Sequence, residues 1–373
     1  METRKKRILF ILSQNDIGGH TKVVLNLIKI FDKRNIYSEV YIPWFTHFFY
    51  TKKYRLRGDY SDAYIWMRYF LGQIKSELIS RRFKWRGQSL QITPVKIKRF
   101  IFSPSAEYIM LFDVIIITSH FQLEELSKLN VDMSKVIYII HHVHSNNSKD
   151  FEILMDLPQL RIIVSSDRTA EECKNLGIRN FSICNLGVDL KMFNPSKRNR
   201  AIDNVIRVGF FYYNHPRKNP RLIESVIAIF NREHPDIEIY IFGNGFNNAG
   251  GNVILTEGIN EHTYAESIAN LDLFVYISKI EGFGLPPLEA MASGVPVIAS
   301  DVGAVTSYMK NGVNGIILEN DCSATNIVNS IERVLRNRNL KNRFSENGVL
   351  ASQNWSWSKT CDDYLVIFED INE

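Results

Sequence analysis

Glu281 and Glu289 stand with seven residues between them in the stretch EGFGLPPLEAMASG, residues 281–294. Two carboxylates at such a spacing could do acid–base work on a glycosidic bond, as in a glycoside hydrolase. The residues between them point to different chemistry. Gly282 and Gly284 permit unusual dihedrals and let a ligand approach the backbone. Pro286 and Pro287 suit the first turn of a helix, where a missing N–H costs nothing. The N–H groups near Phe283, Gly284, Leu285 and Leu288 then lie unpaired at a helix start, a setting that attracts phosphate. In that geometry Glu289, in the first helical turn, reaches a ribose. Glu281, on the other side of the anion site, reaches a sugar hydroxyl. The stretch therefore suits a nucleotide sugar, with bare backbone holding the diphosphate. A plain helix-start loop, its first-turn Glu favoured by the helix dipole, accounts for the same spacing.

Positioning such a loop takes a strand before it and a helix after it, and the chain supplies many such units. KRILFILSQ reads as a short buried strand, NDIGGH as a turn, and TKVVLNLIKIFDKR as a helix with Val24, Leu25, Leu27, Ile28 and Phe31 at helical period. SEVYIP, LFDVIIITS, KVIYIIHHVH and LRIIVSSD are further strands, and FSICNLGVDLKMFNP ends this first series. The polar, aperiodic SKRNRAIDN reads as a linker. Alternation then restarts with the strands VIRVGFFYY, IEIYIFGNG, LDLFVYIS and VPVIASD and the helices NPRLIESVIAIFNREH and PPLEAMASG, followed by late helical segments. The expected class is α/β, with two Rossmann-like doubly wound domains facing a central cleft, since ligands of such sheets bind beyond the carboxyl ends of strands.

Composition bounds the rest. A chain of 373 residues with 45% apolar content forms sizeable cores. The apolar run Ile8–Leu12 is too short for a signal peptide, and no uncharged stretch approaches the roughly 18 residues of a spanning helix, so a cytoplasmic protein is expected. Cys173, Cys184, Cys322 and Cys361 lie far apart without a C-x-x-C and read as reduced and structural. Nine histidines show no metal-binding spacing, so no metal site is expected. The net charge of +5 is uneven: between Lys52 and Arg99 there are thirteen Lys/Arg against three Asp/Glu, a local +10. Within 43–102, YIPWFTHFFYT is dense in aromatics, and Met67, Phe70, Leu71, Ile74 and Leu78 form one helical stripe followed by Arg81, Arg82, Lys84 and Arg86. This pattern suits an anionic membrane surface. A helix packed on its own domain with a solvated basic face accounts for it too. Nothing resembles a nucleic-acid-binding signature.

The stretch EGFGLPPLEAMASGVPVIASDVGAVTSYMKNGVNGIIL resembles the signature region of family 4 glycosyltransferases, retaining enzymes of the GT-B fold. IGGHTKVVLNL resembles that family's N-terminal Gly–Gly loop and helix, NLGVDLKMFNP the segment before its second domain, RKNPRLIESV its Lys-containing phosphate loop, and FGNG the following strand and turn. Residues 43–130 resemble nothing in it. The resemblance implies an acceptor domain over 1–195 that carries the basic, aromatic insertion 43–102. It further implies a nucleotide-sugar donor domain over 196–355 and a C-terminal helix over 356–373 that crosses back to the first domain.

Residue by residue, the resemblance implies that Gly18 and Gly19 lie against the donor phosphates and the acceptor. Lys218 pairs with the diphosphate, and Arg217 assists it. The family's usual Arg after the strand glycine is replaced by Phe210 in a lengthened loop. Backbone N–H groups of Phe283, Gly284 and Leu285 beside Gly282 complete the phosphate site, Glu289 binds ribose and Glu281 the transferred sugar. A His at a strand end approaches the donor sugar, and HHVH offers His141, His142 and His144; which of the first two faces the cleft stays open. The implied reaction retains anomeric configuration without a metal or other cofactor. The expected co-substrate is a nucleotide-diphospho-sugar and the expected acceptor a glycan or lipid-linked glycan, in surface-polysaccharide assembly (lipopolysaccharide or capsule) at the inner membrane face. A catalytically weak GT-B partner of another glycosyltransferase is the alternative from a different class. A nucleotide-sugar epimerase of the same fold lacks this glutamate pair.

Overall fold

The computed structural model describes residues 6–12, 19–43, 96–100, 105–129, 131–143, 151–199, 204–247, 250–256, 259–319 and 321–372. Two compact units are separable. One holds Met1–Ile139 and Asp150–Arg161, the other Ile140–Lys149 and Ile162–Glu373.

In the first unit the strands β1 (Arg7–Ile11), β2 (Tyr37–Pro43), β3 (Lys96–Phe100), β4 (Val114–Ile117) and β5 (Val136–Ile140) run in the order β3-β2-β1-β4-β5. All pairings are parallel, with Ile8 opposite Val114 and Phe10 opposite Val40. The apolar runs ILFI and VIII are fully buried, as strands covered on both faces must be. Helix α1 (Gly19–Lys33) turns Val23, Val24, Leu27, Ile28 and Phe31 inward, and Phe31 stacks on Phe10 at 6.1 Å. Two short helices, α2 (Ala106–Ile109) and α3 (His120–Lys128), flank β4 in sequence. The buried Gln122 accepts from the N–H groups of Thr118 and Ser119 and donates to the carbonyl of Ile11, tying the end of β4 to the end of β1.

Strand β3 is a finding the sequence did not yield. Its sequence places KIKRF within the basic stretch 43–102 that interrupts the first series, yet it pairs with β2 from Glu39–Lys96 to Pro43–Phe100 at the edge of the described sheet. Residues 44–95, which carry the membrane-surface expectation, lie outside the described residues, as do Gly18 and His144.

In the second unit β6 (Arg161–Val164) and β7 (Phe181–Ile183) pair in parallel, and α4 (Asp167–Asn175) starts at the N-cap Ser166. A six-stranded parallel sheet follows, built from β8 (Arg207–Tyr213), β9 (Glu238–Asn244), β10 (Val253–Leu255), β11 (Leu273–Tyr276), β12 (Val297–Ser300) and β13 (Ile316–Leu318). Its order is β10-β9-β8-β11-β12-β13, so the winding direction reverses between β8 and β11. The loops leaving these two strands therefore flank the crevice where doubly wound sheets hold ligands. Around the sheet lie α5 (Pro220–Glu233), α6 (Glu261–Ala269), α7 (Leu285–Ala292), α8 (Val305–Tyr308), α9 (Ala324–Arg336), α10 (Arg338–Ser352) and α11 (Trp357–Glu369). Helix α5 buries Ile223, Val226, Ile227 and Phe230, and α9 buries Ile327, Val328, Ile331 and Val334. Both stripes meet Phe210, Ile239, Val275 and Ile298 of the sheet in one core. Two chain segments touch backbone to backbone where Val188 bridges Ser356; a Cβ at Gly187 would lie 2.1 Å from the Ser356 carbonyl carbon, so only glycine fits there. The four cysteines are free thiols. Among the described residues no helix is long and apolar enough to cross a membrane.

Candidate functional site

The loop after β8 is fixed by its own sequence. His215 Nδ1 accepts from the Arg217 N–H, Pro216 opens a single tight turn, and Asn219 takes a left-handed conformation (φ 54°) before Pro220 starts α5. Asparagine is among the few side-chain-bearing residues that adopt this conformation readily. The Arg217 carbonyl then receives the N–H of Lys279 at 2.8 Å, the N–H of Ile280 at 3.2 Å and the hydroxyl of Ser278 at 3.0 Å. The turn from β8 is thus stitched to the loop leaving β11, across the point where the strand order reverses.

That stitching sets Lys218 against Glu281. The ammonium donates to Oε1 at 2.6 Å and to Oε2 at 2.7 Å, and the Ser278 hydroxyl lies 2.6 Å from Oε1. Lys218 Nζ also sits 5.7 Å from the centre of the Phe211 ring. The pair is mostly buried, at 23% and 11% side-chain exposure, which strengthens its attraction and leaves the third ammonium proton for another acceptor. Around the two carboxylates stand three buried tyrosines. Burial pushes the hydroxyls of Tyr264, Tyr276 and Tyr308 well above the usual phenol range, and the neighbouring negative charges of Glu289 or Glu281 add to the effect.

The stretch between the carboxylates has a definite polarity. Three consecutive carbonyls are each held by a donor. Gly282 O accepts from the Ser166 hydroxyl at 3.1 Å, Phe283 O from the Ala304 N–H at 2.8 Å, and Gly284 O from the Tyr308 hydroxyl at 2.6 Å. Gly284 has φ +90°, the conformation that lets it cap α7. The N–H groups of Gly282, Phe283, Gly284 and Leu285 donate to no acceptor among the described residues. A helix start leaves such donors without partners in its own backbone, and an anion is the acceptor they suit best.

Glu289 is the fifth residue of α7, in its second turn rather than the expected first, because Gly284 caps the helix and Leu285 begins it. It is buried at 3% exposure, close enough to the buried Tyr264 hydroxyl to raise it. His141 is buried, and its carbonyl lies against Gly282, where a Cβ would come within 2.1 Å of the oxygen. His142 is half-buried and reaches the guanidinium of Arg217, Nε2 to Nη1 at 2.9 Å. The structure so brings together Lys218, Glu281, Gly282, Phe283, Gly284, Leu285, Arg217 and His142. Gly19 opens α1 in the other unit. Ser166, Ser278 and Tyr308 were not singled out from the sequence. Ser278 stands three residues before Glu281 at a strand end, a signal that could have found it; Tyr308 carries none.

Comparison with known proteins bears on this region. The family described as "Glycosyl transferases group 1" matches residues 214–350, the span from the turn after β8 to α10. Curated relatives extend the likeness beyond the group 1 region. A GDP-mannose-dependent alpha-mannosyltransferase of Corynebacterium glutamicum is 29% identical over 171 residues, 43% of this chain and 40% of that protein. The lipopolysaccharide core biosynthesis mannosyltransferase LpsB of Rhizobium meliloti is 30% identical over 187 residues, 43% of this chain and 51% of its own. The chain spans about half the length of the curated relatives it matches. Among solved structures, sucrose-phosphate synthase of Thermosynechococcus elongatus aligns with TM-score 0.69 at 15% identity, covering 98% of this chain and 99% of that one. Anabaena HepE, solved with UDP-glucose, aligns with TM-score 0.70 at 15% identity over 98% and 100% of the two chains. These likenesses establish the fold, which is GT-B with the group 1 region as part of its second parallel sheet and surrounding helices.

Proposed function

We propose that this chain is a retaining hexosyltransferase that takes its sugar from a nucleotide-diphospho-sugar. The observation that carries the reading is the polarity of the 282–285 stretch. Its carbonyls are tied back by Ser166, Ala304 and Tyr308, and its amides are left free beside the Lys218 ammonium. Free amides at a helix start and a nearby ammonium form a receptor for a diphosphate.

In this reading the amides of Phe283, Gly284 and Leu285 bind diphosphate oxygens, and Lys218 meets them with its remaining proton. Arg217 supplies a second cation from the same turn, the position left open where the family's usual Arg gives way to Phe210. Glu281 orients the transferred sugar and Glu289 the ribose. Charge developing on the departing diphosphate is met by groups already in place, so Lys218 and Arg217 do the electrostatic work that a metal does in other enzymes. Departure and attack occur on one face of the sugar, the leaving diphosphate accepting the proton of the acceptor hydroxyl. Positioning and leaving-group stabilisation then account for the rate.

The mannosyltransferase relatives favour a hexose donor, and the lipopolysaccharide role printed for LpsB favours a glycan or lipid-linked acceptor. The basic, aromatic composition of 43–102 favours an acceptor at an anionic membrane surface, met from the cytoplasmic side. The division into an acceptor domain to residue 195 and a donor domain from 196 belongs to the same proposal. Thermal shift against a panel of GDP-mannose, UDP-glucose, UDP-N-acetylglucosamine and ADP-glucose tests the donor, since a ligand of the native state raises its melting temperature. Transfer from the stabilising donor should survive EDTA and give a product of unchanged anomeric configuration by NMR. No stabilisation by any nucleotide sugar, or an inverted product, would contradict the proposal.

A further inference from the structure

Arg217 is a half-buried guanidinium without a carboxylate partner among the described residues. Its Nε is buried and has no hydrogen-bond acceptor. Its Nη1 donates to His142 Nε2 at 2.9 Å. A guanidinium can only donate, so this ring nitrogen is the acceptor and the imidazole carries its proton on Nδ1. A strong cation held by a neutral ring and missing an anion is set up to receive one.

Backbone, not chance, brings the two side chains together. The Arg217 carbonyl is held by Ser278, Lys279 and Ile280, which fixes the root of the guanidinium. The His141 carbonyl lies against Gly282 so closely that a Cβ would come within 2.1 Å, which fixes the residue next to His142 on the same loop. Both contacts fall on the loop leaving β11, the first at 278–280 and the second at Gly282, where the free amides begin. We propose that His142 is a positioning residue: it acts through Arg217, aiming that guanidinium at the diphosphate, and does not touch the sugar. The inference rests on the reading of 282–285 as a diphosphate site and assigns its second cation a holder.

A double-mutant cycle with inorganic pyrophosphate as the probe tests it, with affinity read by calorimetry and folding by thermal melting. Arg217→Ala should weaken pyrophosphate about tenfold, the scale of one lost charge-assisted contact. His142→Leu should weaken it by a similar factor, and the double variant should bind no worse than Arg217→Ala alone. His142→Gln, whose amide oxygen can stand near the position of Nε2, should bind within about threefold of the parent protein. With the donor sugar nucleotide, His142→Leu should raise KM more than it lowers kcat. Should His142→Leu fail to fold, His142→Asn, too short to reach Arg217, carries the same expectation. Parent-like binding by folded His142→Leu or His142→Asn, or losses that multiply in the double variant, would overturn the proposal. Lys218→Ala separates the two levels: if it loses pyrophosphate while His142→Leu does not, only the role of His142 fails, and if it too binds normally the diphosphate site itself is wrong.

Discussion

The Tyr308 hydroxyl donates to the Gly284 carbonyl at 2.6 Å, from the end of α8 to the residue that caps α7. The ring that carries it packs on Phe283 at 5.9 Å and on Trp355 at 5.8 Å, and those two rings are 5.9 Å apart, so the donor is held in a cluster of three aromatic rings. Fixing a carbonyl fixes the peptide planes beside it, and with them the direction of the adjacent N–H groups. Tyr308→Phe keeps the packing and removes the donor. The expected result is a several-fold loss of nucleoside diphosphate affinity and a modest drop in melting temperature, on the scale of about 1–2 kcal/mol for a buried acceptor left without its partner. Calorimetric titration of the variant checks it; unchanged affinity would show that the amides keep their direction without this hydroxyl.

Lys218→Ala and Glu281→Ala should each lower turnover more than tenfold with folding intact, because each removes a charge placed for the transferring group. Steady-state kinetics on purified variants with native melting curves is the check. Near-normal rates in either would remove that residue from the chemistry.

Much of this site was legible in the sequence because its parts are local. Glycines and prolines between two acidic residues, placed after an apolar strand, already specify a strand–loop–helix with bare amides. Lys218 could be placed only by resemblance, since its contact with Glu281 depends on the order of β8 and β11 in the sheet. Tyr308, Ser166 and His142 come from elsewhere in the chain, and nothing in their own neighbourhoods shows what they will touch. The register of β3 was hidden for a related reason: an edge strand needs no continuous apolar run, so KIKRF resembles a charged loop.

Gly282→Ala tests the close approach directly. The added methyl would lie 2.1 Å from the His141 carbonyl oxygen, a backbone atom that cannot swing aside as a flexible side chain could. The loop must shift, and activity should fall at least tenfold while far-UV circular dichroism stays native. Retained activity would mean that the approach of these two segments is not needed for turnover.

The thiols offer a test of the packing. Burial pushes Cys173 and Cys184 up to about 12, Cys361 is fully buried, and only Cys322 is half-buried. Since the thiolate is the reactive form, iodoacetamide at pH 8 should modify native protein at Cys322 alone, slowly because partial burial and the Glu319 charge raise that thiol too, and denatured protein at all four. Mass spectrometry of intact protein counts the adducts; rapid native labelling of Cys173 or Cys184 would contradict the packing of the second unit.

A crystal of the protein with the nucleoside diphosphate of its preferred donor measures the central claim most directly. The account predicts diphosphate oxygens within about 3 Å of the amide nitrogens of Phe283, Gly284 or Leu285 and of Lys218 Nζ. A nucleotide bound with its phosphates away from these amides, or a loop turned so that its carbonyls face the diphosphate, would contradict it.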